Sequence, residues 1–225
     1  WEMGQEAYRQ GRLTEAVGYY QQAAGAYKRA NDLDGAGSAL YSLGVTYEDL
    51  GEDDRALASY EESLALYKTL DSPLDMAVNM LNIGAVHYRS FGRYEVALSY
   101  LQDARTIFKN NNEEEFAALC GYHVGNAYTH LGRYREAIAS FEEALRINRK
   151  LDAAAGVASV LHNMGRAWAG LGEQKKAIPL YEEALAIDRK LNRKDDLASD
   201  LTSLGNAHGD LYQFDRAIYY YDEAL

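Results

Sequence analysis

The stretch LGVTYEDLGEDDRALASY, Leu43–Tyr60, decides how the rest of the chain is read. Its apolar and small residues recur at intervals of three, four and seven, the period of an α-helix, and no part of it keeps a strand-like alternation. Gly51 interrupts the pattern where a residue with positive φ can end one helix and let the chain reverse into the next. Glu52-Asp53-Asp54 then places negative charge at the start of the second helix, where the helix dipole favours it.

Laid along the whole sequence, this stretch recurs. Gly4, Gly44, Gly84, Gly125, Gly165 and Gly205 form one column at spacings of 40, 40, 41, 40 and 40. Gly11, Gly51, Gly92, Gly132 and Gly172 form a second, with Tyr212 in the last copy. Ala16, Ala56, Ala97, Ala137, Ala177 and Ala217 form a third, followed four residues on by Tyr20, Tyr60, Leu101, Phe141, Tyr181 and Tyr221. Each copy is therefore predicted to be two helices, A and B. Glycine in mid-helix A costs about 1 kcal/mol against alanine, so its recurrence points to close packing against the small residue and the aromatic of helix B. Basic pairs such as Arg149-Lys150 and Arg189-Lys190 close helix B.

These residues resemble the tetratricopeptide repeat family. Its pattern reads here as Leu40, Leu43-Gly44, Tyr47, Ala56, Tyr60 and Ser63, and again as Leu161, Met164-Gly165, Trp168, Ala177, Tyr181 and Ala184. A repeat near 40 residues, without a proline closing helix B, resembles the longer-repeat branch found in polarity scaffolds and bacterial multidomain signalling proteins. The resemblance implies an all-α, right-handed superhelical solenoid of antiparallel helix pairs. Residues 1–225 are expected to form a single solenoid domain of about six repeats, at 1–33, 34–74, 75–114, 115–153, 154–194 and 195–225. The first and last of these read as truncated, and the chain opens at Trp1 without an initiator Met, so a longer natural protein is expected. The extra residue between Gly84 and Gly92 predicts a bulge or altered turn near His87 and Tyr88, and Pro179 predicts a slight kink in its helix. Pro73, after Ser72, suits a helix start.

Charge and composition restrict the functions available. A net charge of -11 opposes a phosphate backbone and an anionic membrane surface. No apolar run approaches the roughly 20 residues of a spanning helix. The single Cys120 excludes an internal disulfide and fits a reducing, cytoplasmic setting. All five histidines fall on A helices, and Cys120, His123 and His130 share one of them, but no matching ligand pair lies on the next helix. Neither a metal, a cofactor nor a catalytic residue is expected, since no phosphate loop, nucleophile motif or His-Glu motif is present. Carboxylate pairs such as Glu142-Glu143 and Glu182-Glu183 read as the solvated face of helix B.

In the family, helix A lines the concave groove, and that geometry carried over selects Tyr41, Glu48, Asn82, Tyr122, Asn126, His130, His162, Arg166, Asn206 and Asp210 as partner-binding residues. An Asn side chain can donate to and accept from an extended peptide at once, and Arg166, between Asn126 and Asn206 in one column, can grip a carboxylate bidentately. The lysines with which chaperone-binding members hold a C-terminal carboxylate are missing: Ser38, Tyr41, Val78 and Leu81 stand there. The expectation is thus a scaffold that holds a protein partner, as a peptide or helix, in its groove. Two other readings stay open: a sensor module of a larger signalling protein, and a solenoid that self-associates through its terminal repeats.

Overall fold

The computed structural model describes residues 1–225 and is all-helical. Twelve helices follow one another: α1 (Glu2–Arg9), α2 (Leu13–Arg29), α3 (Leu33–Asp49), α4 (Asp53–Thr69), α5 (Pro73–Arg89), α6 (Tyr94–Asn110), α7 (Glu114–His130), α8 (Tyr134–Lys150), α9 (Ala154–Gly170), α10 (Gln174–Leu191), α11 (Lys194–Asp210) and α12 (Phe214–Ala224). They gather into two compact units, Trp1–Asn112 and Glu113–Leu225. Within each unit every helix packs on the next, and in the second unit α7 also touches α9, and α9 touches α11. Helix pairs joined by such short turns run antiparallel.

The mid-helix glycines have the packing role read from their column. A Cβ at Gly44 would lie 2.6 Å from the Tyr60 ring, at Gly125 2.4 Å from Phe141 and at Gly165 2.7 Å from Tyr181. In the third copy, Leu101 replaces the ring, and a Cβ at Gly84 would still approach it to 2.7 Å. The B-helix alanine of each pair is buried beside this contact, so two backbones close on one another with a large side chain wedged next to them.

Two kinds of turn alternate. Between A and B, Gly11, Gly51, Gly92, Gly132 and Gly172 adopt positive φ, as does Tyr212 (φ 59), which carries the same turn without glycine's freedom. Between B and A the positive φ falls on Asn31, Asp71, Asn112, Asp152 and Asn192, a second column that the glycine pattern does not reveal. Asn and Asp are the side chains that best tolerate this region. After Gly51, Glu52 N donates to Tyr47 O at 2.8 Å, closing the helix with a six-to-one bond.

Of the two outcomes expected for the extra residue, the structure shows the altered turn, a few residues beyond His87 and Tyr88. α5 runs regularly to Arg89, through His87 and Tyr88, and the insertion is taken up in the turn Ser90-Phe91-Gly92, where Arg93 N reaches back to His87 O at 3.0 Å. Lengthening a solvated turn leaves the helical hydrogen bonds intact, which a bulge would not. Pro73 opens α5 at its first position, and α10 runs on past Pro179. The helix B carboxylates are more than a solvated face. Glu62 pairs with Lys28 at 2.5 Å in the first unit; in the second, Glu183 pairs with Arg149 at 2.7 Å and Glu223 with Arg189, each joining consecutive B helices. Exposed pairs of this kind stabilise by about 0–1 kcal/mol each, so the apolar contacts dominate.

Gly125→Ala should lower the unfolding free energy by up to about 2 kcal/mol, because an overpacking cost of about 1–3 kcal/mol against Phe141 outweighs a helix-propensity gain of about 1 kcal/mol. Urea denaturation would measure it; a stabilised variant would mean that the close approach is not what selects glycine.

Candidate functional site: the A-helix faces

In the first unit, Tyr41, Glu48 and Asn82 lie on α3 and α5 and are tied to neighbouring A helices. Asn82 Nδ2 donates to the Tyr41 hydroxyl at 3.4 Å and to Val78 O at 3.1 Å. Glu48 accepts from the Tyr60 hydroxyl at 2.5 Å and forms an ion pair with Arg89. Burial, and then the bond to Glu48, hold the Tyr60 phenol far above its ordinary range. Tyr8 donates to Asp49 at 2.5 Å, and that bond is the first cause of its rise to about 12. Beside these ties an apolar cavity of about 390 Å³ is walled by Tyr8, Tyr20, Tyr41 and Val45. Another of about 300 Å³ lies between Tyr41, Tyr67 and Val78, with Asn79, whose buried Oδ1 has no partner, in its wall.

In the second unit the same Tyr–Asn arrangement returns: Asn163 Nδ2 donates to the Tyr122 hydroxyl at 3.2 Å, 41 residues away. Arg166 is exposed and donates through Nη1 to Asn163 Oδ1 at 3.1 Å. His162 Nδ1 lies 2.6 Å from Asp200 Oδ1. Tyr122, His162 and Arg166 thus meet around one polar cavity of about 230 Å³. The remaining positions are not in its walls. Asn126 is only 7% exposed, Asn206 accepts from the Tyr221 hydroxyl at 2.7 Å, and Asp210 accepts from Gln174 at 2.8 Å. His130, at the end of α7, is held below the ordinary histidine value by lost hydration and then by the charge of Arg166. Cys120 is fully buried, and no group of three or more His, Cys, Asp or Glu side chains is placed to hold a metal ion. No helix is long and apolar enough to cross a membrane.

The tetratricopeptide repeat model matches residues 1–69 and 116–190, more than half of the chain. The chain belongs to the tetratricopeptide repeat family. Solved structures with the same repeat architecture include BtubC (BKLC) from P. vanneervenii, 22% identical, TM-score 0.80, covering 94% of this chain and 89% of that one. The apo form of RapI is 15% identical with a TM-score of 0.83, covering 100% and 95%. A Rap protein complexed with Competence and Sporulation Factor is 17% identical with a TM-score of 0.71, covering 94% and 63%. At these identities the likeness is one of fold. No curated protein matches the chain.

Reasoning from the family's groove positions missed the two most unusual side chains of this tetratricopeptide repeat. Asp188 and Asp200 are 2% and 0% exposed and both line the polar cavity. Asp188 pairs with Arg193 at 2.9 Å, yet burial raises its carboxyl to about 6, Arg193 opposing and Asp200 and Asp196 adding to the rise. A raised folded-state pKa means that the folded chain holds a proton that the unfolded chain releases first. The associated stability is full below pH 3.8 and is lost as the pH climbs through about 6. Asp188→Asn removes that dependence and leaves Arg193 its second partner, Asp196, at 2.8 Å. The stability of the variant relative to wild type should therefore rise between acid and neutral pH, by up to about 3 kcal/mol. Thermal unfolding across that range checks it, and a flat difference would count against a buried ionised Asp188.

Proposed function

We propose that the chain is a binding scaffold that holds a segment of a protein partner along its A-helix faces. The Tyr–Asn pair carries this reading. It occurs in each unit at the same register, as Tyr41 with Asn82 and Tyr122 with Asn163, each beside a cavity. A tyrosine offers a rigid, amphipathic contact surface, and an amide can both donate to and accept from a peptide backbone. Fixing the amide through the phenol orients it before a ligand arrives, which reduces the ordering cost of binding. Arg166 supplies a contact for an acidic side chain of the partner. A Rap protein of similar fold, complexed with Competence and Sporulation Factor, supports ligand binding by such an architecture. The chemistry is recognition without catalysis, whether the module stands alone or regulates a domain attached to it.

The partner captured from the native lysate by the wild-type chain should bind an Asn82→Ala, Asn163→Ala, Arg166→Ala variant at least tenfold more weakly, with helicity unchanged by circular dichroism. Equal binding by both would move the site to the B helices or turns. A self-association reading rests on α12, where Phe214 and Ile218 are 60% and 57% exposed. On that reading, the mass measured by light scattering rises with concentration and Ile218→Asp returns it to that of one chain.

A further inference from the structure

Two core columns change character in the second unit. The position five residues before the mid-helix glycine reads Ala39, Asn79, Cys120, Val160 and then Asp200. All five are buried, so in the last copy a carboxylate occupies a site that elsewhere takes small, mostly apolar side chains. The position seventeen before the same glycine reads Tyr27, Tyr67, Phe108, Asn148 and then Asp188. Where a ring filled the space, a short carboxylate now leaves the cavity of about 230 Å³. Its mouth carries Arg166 and Ser199, both exposed, and Tyr122 forms part of its wall.

The charges in this cavity do not balance. Asp188 and Asp196 share a single guanidinium, that of Arg193, which also donates to Ala155 O and Ser159 Oγ. Arg166 is turned toward Asn163. Asp200 has only His162, through Oδ1, and its Oδ2 is buried without any hydrogen-bond partner. Leaving a buried carboxylate oxygen unsatisfied costs about 1–3 kcal/mol or more, so a fold that could have kept valine here retains a penalty with no structural return.

We propose that this cavity is a subsite for a guanidinium group, an arginine side chain of the bound segment, with Asp200 as its carboxylate partner. The inference rests on the peptide-binding reading and specifies which side chain enters. A planar guanidinium delivers two parallel N–H bonds, which suits a carboxylate with one free oxygen beside a second acid, Asp188. The subsite is particular to the second unit: 81 residues back, Val78, Leu81 and Ala85 stand where Ser159, His162 and Arg166 line the cavity.

Ethylguanidinium is the direct probe, titrated into the chain at constant ionic strength while the backbone amide resonances of Asn163, Ser199 and Asp200 are followed. Saturable shifts are expected, with n-butylammonium weaker and propionate without effect. Asp200→Asn should weaken binding at least tenfold. Asp200→Val, which installs the residue found at Val160, should remain folded and abolish it. Absence of saturation, or equal titration of the Asp200→Val variant, overturns the subsite, and butylammonium binding as well as the guanidinium overturns the choice of cation. Because the probe is not a peptide, such a failure leaves the scaffold reading standing if the lysate partner still binds. Loss of the partner with the guanidinium still bound would instead remove only that reading.

Discussion

Everything in this fold depends on how closely helix A approaches helix B. At Gly4, Gly44, Gly125, Gly165 and Gly205 a single methyl group would fall within 2.4–2.8 Å of an aromatic ring of the paired helix. The pair is therefore locked at one distance. Since each pair contacts only its neighbours, the same local solution can be repeated along the chain. Ion pairs between consecutive B helices and hydrogen bonds between consecutive A helices add register at both surfaces, but they act on a spacing that the glycine contact has already set.

Much of this was legible because its signal is periodic. Glycine columns at a fixed interval, with small and aromatic residues at fixed offsets, leave helix pairs as the only economical reading, and the family pattern follows from the same residues. The B-to-A turns were less visible. Asn31, Asp71, Asn112, Asp152 and Asn192 share positive φ, but Asn and Asp are common on any acidic surface, so the column does not stand out as glycine does. For the inserted residue both a bulge and an altered turn were open, because spacing alone cannot say on which side of a helix end a residue falls. Hydrogen-bond energy decides that, and it favours Ser90-Phe91-Gly92.

The surroundings of the candidate residues were legible in part, and for a physical reason. Carrying groove positions over from the family finds side chains by direction, and Tyr41, Tyr122, His162 and Arg166 do line cavities. Direction says nothing about what else those side chains bind. Glu48 is committed to Tyr60 and Arg89, Asn206 to Tyr221 and Asp210 to Gln174, so their hydrogen-bonding capacity is largely used within the chain. The amide of Asn163 is likewise bonded, but to a phenol and a guanidinium that themselves line the cavity, an arrangement that fixes its orientation there.

Asp188 and Asp200 show what a repeat permits that a closed globule resists. In a single compact core, replacing a ring by a carboxylate disturbs many neighbours at once, because interiors are close-packed. In stacked helix pairs the disturbance stops at the adjoining pair, so one copy can surrender packing while the glycine contacts at Gly165 and Gly205 keep its backbone in place. Departure from the column is then informative in itself. A copy that keeps the scaffold glycines and gives up core residues for buried acids has separated the residues that maintain the fold from those free to recognise something else. That separation is visible by comparing copies within this one chain.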